Sequence, residues 1–108
     1  MDSAPSTRVA ERHQSFAAFY PFYISEHAHP VSRRLHVVGT SLVIVFLVLG
    51  LGLDWRFFVA APLTGYGFAW VGHFVFEKNR PATFKYPVYS LMGDFRLWFE
   101  TVTGRRKF

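Results

Sequence analysis

The sequence predicts an all-α fold: a small integral membrane protein built on an antiparallel transmembrane helical hairpin, with an amphipathic helix at each end. Three observations predict it. Two uncharged runs, residues 35–53 and 57–76, are separated only by Asp54, Trp55 and Arg56. Charged residues are 18% of the chain and cluster outside those runs, whereas apolar residues are 51% and aromatic residues 19%. A histidine stands at each outer end, His36 and His73, and the midpoint between them falls in the polar break. Antiparallel arms therefore set the two histidines side by side at one depth.

At 108 residues the chain makes one domain, residues 1–108, too short for two independent cores. Cysteine is absent, which excludes disulfides, zinc ribbons and thiol catalysis. The formal charge of +5 would suit nucleic acid, but the basic residues flank apolar runs and form no stripe along a polar face, so no nucleic-acid partner is expected. Residues 1–14 are polar and carry Asp2 and Glu11, unlike a signal peptide; insertion would use the internal runs themselves.

Taken in order, Ser6 can cap an amphipathic helix over residues 6–20, with Val9, His13, Phe16 and Tyr20 on one face, lying on a membrane or on the rest of the protein. Pro21 ends or kinks it. A connector with His27 and His29 leads to Pro30, which fits the first turn of the next helix. The hairpin arms are residues 30–53 and 57–77. The first uncharged run of 19 residues would rise about 28 Å at about 1.5 Å per residue, against a hydrocarbon core of about 30 Å.

In the second arm Pro62 sits early, leaving residues 57–60 as an irregular lead-in, and Ala61, Gly65 and Ala69 form a small-residue face for close approach. A polar connector with Pro81 follows. Val88, Leu91, Phe95, Trp98, Phe99 and Val102 recur at helical spacing and predict an amphipathic helix over residues 87–103. Of the 12 Lys and Arg residues, four precede the hairpin, seven follow it and one lies in the turn. The positive-inside rule then puts both termini, and both hairpin histidines, on the cytoplasmic side. That would be the inner membrane of a bacterium or the endoplasmic reticulum of a eukaryote.

His27, His29, His36 and His73 thus fall at one depth at the membrane boundary, where ionisable side chains are expensive and imidazole is the commonest neutral metal ligand. His73 and Glu77 are four apart, hence on one face of an α-helix. His29 and His36 are seven apart, about 10.5 Å along a helix, so the loop before Pro30 must fold back for His27 or His29 to join His36. Imidazoles with a carboxylate suit Fe(II), with Zn(II) or Mn(II) also open. Asp94, on the polar side of the last helix, is a second candidate for chemistry. Arg80 and Lys85 flank the membrane where they can pair with a fatty acid carboxylate, and membrane lipids are expected partners throughout. His13 has no evident partner and is read as structural.

The segments FYISEHAHPVSRRLHVVGT and GYGFAWVGHFVFEKNRPATFKYPVYSLMGDF carry a resemblance to a family of small membrane proteins. Its characterised fungal member is an Fe(II)-dependent 2-hydroxy fatty acid dioxygenase acting in the conversion of phytosphingosine to odd-numbered fatty acids. The most specific elements are Tyr23 and His27, the later His36, and Gly72, His73 and Glu77 followed by Arg80, Pro81 and Ala82. The resemblance implies fatty acid α-oxidation, in which O2 cleaves the C1–C2 bond of a 2-hydroxy fatty acid and shortens it by one carbon. It implies Fe(2+) held by His27, His36 and His73, with Glu77 a fourth ligand or a base, His29 ranked below them, and Tyr23 near the substrate. Ser32 stands where the family often has Asn, which weakens any role for an amide there. Two other readings come from different classes: a non-enzymatic membrane hairpin scaffold, and a metal-dependent lipid hydrolase using zinc-bound water.

Overall fold

The computed structural model describes residues 13–108, and these are helical with no strand among them. The helices are α1 (Phe16–Ser25), α2 (Pro30–Gly52), α3 (Phe57–Val71) and α4 (Pro87–Val102). A π-helical segment (Gly72–Glu77) continues α3, and a 3-10 turn (Ala82–Phe84) precedes α4.

The start expected for the first helix, residues 6–12, lies outside the described residues. Within them the helix begins later, because Ser15 rather than Ser6 supplies a cap: its Oγ accepts from the Ala18 N–H at 3.1 Å. It also runs through Pro21 to Ser25 instead of ending there. Proline removes one helical hydrogen bond, but the turn beyond it is held by packing. Phe19, Tyr20 and Tyr23 are buried with Tyr86, Leu97 and Val37 in the aromatic core. Tyr20 donates to Glu100 Oε1 on α4 at 2.6 Å, and Arg96 lies 4.2 Å over the Tyr20 ring.

His29 Nδ1 accepts from the Val31 N–H at 3.1 Å and so caps α2, with Pro30 at its first position. With 23 residues, α2 rises about 34 Å and is one helix long and apolar enough to cross a membrane. The turn is closed by Asp54, whose Oδ1 accepts from the Arg56 N–H at 2.9 Å. α3 then packs antiparallel against α2. A Cβ on Gly39 would lie 2.8 Å from Phe68 Cβ, and one on Gly65 2.8 Å from Val43, so these glycines set how closely the arms approach.

The second arm differs from a plain spanning helix. It is α-helical for 15 residues, about 22 Å, and does not by itself have the length of a bilayer span. From Gly72 the backbone widens: the Lys78 N–H bonds to His73 O, and Lys78 ends the segment in the left-handed conformation at φ 57°.

α4 forms where the apolar spacing predicts it, and turns most of its apolar stripe away from the protein. Val88, Leu91, Phe99 and Val102 of the predicted apolar stripe are exposed, and the residues facing the protein are Ser90, Gly93 and Leu97. The reason is the size of Tyr23. Its ring presses onto α4 at Gly93, where a Cβ would lie 2.7 Å away. Trp98 Nε1 donates to Ser41 Oγ at 2.9 Å and ties α4 to α2.

Candidate metal centre

The fold brings three of the predicted ligands together. His27 follows the last turn of α1, His36 lies two turns into α2, and His73 is the second residue of the π segment. One ligand nitrogen from each ring can be chosen so that all lie within 4.8 Å of one another, and all three residues are buried. The rings stand nearly perpendicular: His27 to His36 at 89°, His36 to His73 at 85°, and His27 to His73 at 71°, with centroids 4.2 to 4.9 Å apart.

Each ring is oriented through Nδ1. His27 Nδ1 donates to Tyr23 O at 2.6 Å and His36 Nδ1 to Ser32 O at 2.8 Å, both four residues back. His73 Nδ1 donates to Asn79 Oδ1 at 2.7 Å; the Asn79 amide is fixed because its Nδ2 donates to Glu26 O at 3.0 Å. All three partners are acceptors, so all three protons sit on Nδ1 and each neutral ring keeps a lone pair on Nε2. His27 Nε2 and His36 Nε2 then face each other at 3.0 Å with no proton between them. Burial, with the neighbouring His36, holds His27 well below the ordinary imidazole range, so its ring stays neutral.

Two buried lone pairs in contact repel, and a cation between them removes the repulsion. The separation also suits one: two nitrogens bound at right angles to one ion lie about 2.9 Å apart for metal–nitrogen bonds of about 2.05 Å. The tautomers are those that metal-bound histidines adopt, with Nδ1 held by an oxygen. Beside the rings is a cavity of about 30 Å³, also lined by Tyr23, Asp94 and Ser90. That volume holds one or two water-sized species, and the buried Ser90 Oγ on its wall has no hydrogen-bond partner. The residues present therefore fit a bound metal ion.

The other predicted site residues fall elsewhere. Glu77 Oε2 accepts from the His29 N–H at 2.8 Å and is not in the three-residue cluster. The Glu77 carboxylate stays near enough to act on the His73 ring electrostatically, while its Oε2 is engaged by the His29 N–H. His29 is occupied as the α2 cap and packs on Phe76 with centroids 5.3 Å apart. Arg80 lies 5.6 Å over the Phe84 ring, and Arg80 and Lys85 line a cavity that contains none of the three histidines.

Tyr23 and Asp94 do reach the site. The Tyr23 ring stacks on His27 with centroids 4.0 Å apart, and its hydroxyl donates to Asp94 Oδ1 at 2.5 Å. Burial raises the Asp94 carboxyl to about 7, against the lowering effect of the Tyr23 hydroxyl. Burial, and then the nearby Asp94 charge, push Tyr23 well above the ordinary phenol range.

Sequence reasoning missed Asn79, and it named Gly72 only as part of a motif, without a structural role. Asn79 joins the loop carrying His27 to His73, and lies six residues beyond His73, outside any helical spacing rule. Gly72 lets the π segment approach α2: a Cβ there would lie 2.8 Å from Ser32 Oγ and 3.2 Å from the His36 ring. Its place next to His73 was the available signal.

Fold and site define a class: a small all-helical protein whose hairpin and first helix carry three buried imidazoles able to hold a metal ion. Within it, the chain belongs to the family described as 2-hydroxy-palmitic acid dioxygenase Mpo1-like, whose profile matches residues 13–106. Comparison with curated proteins and with solved structures gave no match.

Proposed function

We propose that this protein is an integral membrane Fe(II)-dependent dioxygenase that cleaves the C1–C2 bond of 2-hydroxy fatty acids, giving an acid one carbon shorter. The observation that carries the reading is the facing pair of unprotonated Nε2 atoms, with His73 beside them, in a member of this family. A ferrous ion held by His27, His36 and His73 would supply open positions and redox chemistry for O2.

The chain's own residues supply the rest. Tyr23 O, Ser32 O and Asn79 hold the ligands in orientation, so little rearrangement accompanies metal loading. The Asp94 carboxyl, partly buried and bonded to the Tyr23 hydroxyl, is poised near neutrality to take a proton from the substrate's 2-hydroxyl. Tyr66 and Trp70 line the outer side of the small cavity. The substrate carboxylate belongs at the histidines; Arg80 and Lys85, on their separate cavity, would meet lipid headgroups. Glu77 keeps a supporting role by fixing the loop at His29.

One observation favours a second reading. A set of three imidazoles without a carboxylate is also a ligand set of catalytic zinc, which would make the protein a lipid hydrolase. A single assay separates them. The full chain in detergent, given 2-hydroxypalmitate, should consume O2 and release the 15-carbon acid in air and nothing under nitrogen. Release of an intact acyl chain from an ester or amide, equal in air and nitrogen, would favour the hydrolase.

A further inference from the structure

Beside the metal centre lies a second and larger cavity, of about 290 Å³. It shares His36, Asp94, Tyr66, Ala69 and Leu91 with the small one, so the two adjoin at His36. From there it follows the hairpin toward the turn. On α2 it passes His36, Thr40, Val43 and Leu47, which occupy one face at helical spacing. On α3 the opposite wall is Ala61, Gly65 and Ala69, whose small side chains leave the space open. Phe95 on α4 lines it as well.

The cavity is polarised along its length. Its ionisable groups, His36, Asp94 and Tyr66, all line the small cavity too, and the far part of its α2 and α3 walls, Val43, Leu47, Ala61, Pro62 and Gly65, is hydrocarbon or glycine. Tyr66 and Leu91 on its rim are 47% and 55% exposed, so it opens along its side. A ligand with one polar head and one flexible apolar chain matches that asymmetry.

The geometry points to this groove as the acyl-chain site, with the chain running from His36 toward Leu47 and Ala61 and entering sideways from lipid. The inference rests on the oxygenase reading and adds where the chain lies and what measures it. His36 to Leu47 is 11 residues, about 16 Å along the helix. At about 1.25 Å per methylene, from carbon–carbon bonds of about 1.5 Å, about 13 carbons fill that length. With the carboxyl and hydroxyl carbons at the histidines, the best-fitting acid has about 15 carbons. Leu47 and Ala61 are the specificity-determining residues at the far end.

The test uses the full chain in lipid nanodiscs and a 2-hydroxypalmitate analogue carrying a diazirine near its terminal methyl. Photolysis should label the peptides holding Leu47 and Ala61. Excess 2-hydroxypalmitate should suppress that labelling and excess phospholipid should not. Ala61→Phe should shorten the preferred chain by about three carbons, for a side chain about 4 Å longer. Ala61 is buried, so Leu47→Trp, at a half-exposed position, serves as the second variant and should shorten it similarly.

Labelling on the exposed face of α4, equal competition by phospholipid, or an unchanged chain-length preference in a folded variant would overturn the groove. The two readings fail separately. Labelling at Leu47 and Ala61 without oxidation would keep the groove and reject the reaction. Oxidation with labelling elsewhere would keep the reaction and reject the groove.

Discussion

The histidine end of the hairpin and its turn end are made from the same two helices and solve different problems. At the histidine end α1 and α4 cover the hairpin: Phe19, Tyr23, His27 and Ser32 are almost wholly buried, and the ring nitrogens bonded to protein use backbone or amide oxygens. Toward the turn no helix among the described residues covers it, and Leu51, Leu53 and Leu63 are 82%, 76% and 70% exposed. Each such side chain forgoes about 1.5–3 kcal/mol by facing water. An apolar surface so continuous suits lipid or a protein partner, whereas a buried set of lone pairs suits a cation. The turn end thus presents an uncovered apolar surface, and the histidine end three buried rings that could hold an ion.

The largest break in that comparison is a charge toward the turn end. Val45, 49% exposed, faces lipid in this account. Val45→Arg should reduce membrane insertion by about 2.5–3.5 kcal/mol, the cost of Arg at the centre of a spanning helix. If that face met water, the substitution would change stability by no more than about 0.5 kcal/mol. Carbonate-resistant membrane pelleting of the two proteins distinguishes these results.

At the histidine end the corresponding change is Asn79→Ala, which frees the His73 ring and the Glu26 loop together. Metal affinity should fall by about 10- to 100-fold, the usual effect of losing a group that orients a ligand, with helicity retained by circular dichroism. A smaller effect is expected at Lys78, held at φ 57°. Lys78→Gly relieves the left-handed strain and should raise stability by about 0.5–1 kcal/mol in thermal unfolding.

The finest distinction is one of pH. The Asp94 carboxyl titrates at about 7 when folded against about 3.9 unfolded, so the folded state retains a proton that the unfolded state loses. Its contribution to stability is greatest at low pH and is lost as pH rises from about 4 through 7. Asp94→Asn should remove that part of the pH dependence; an unchanged profile would mean that Asp94 is not held in its proton-bearing form.

What was legible in the sequence follows the same division. The arms and their register were readable because charge is absent from two long runs and His36 and His73 are symmetric about the turn. The contacts of Gly39 with Phe68 and Gly65 with Val43 keep nearly that register. The folding back of the loop before Pro30 was readable as a geometric demand, and His27 meets it. Glu77 stands outside the three-histidine cluster because its Oε2 is engaged by the His29 N–H, a partner that no helical spacing names. The orientation of α4 was not legible. Hydrophobicity locates an apolar stripe but not its solvent, and the stripe through Val88, Leu91 and Phe99 is left outside while Ser90 and Gly93 admit Tyr23.

The central claim is that the three Nε2 atoms hold one metal ion, and metal content tests it most directly. Full-length protein should be purified from iron-replete cells, with His36→Gln and His73→Gln prepared alongside, and metal measured by mass spectrometry per mole of chain. The account predicts one iron per wild-type chain and its loss from both variants while their helicity persists. A well-folded wild-type chain that takes up no metal, or variants that keep it in full, would contradict the account.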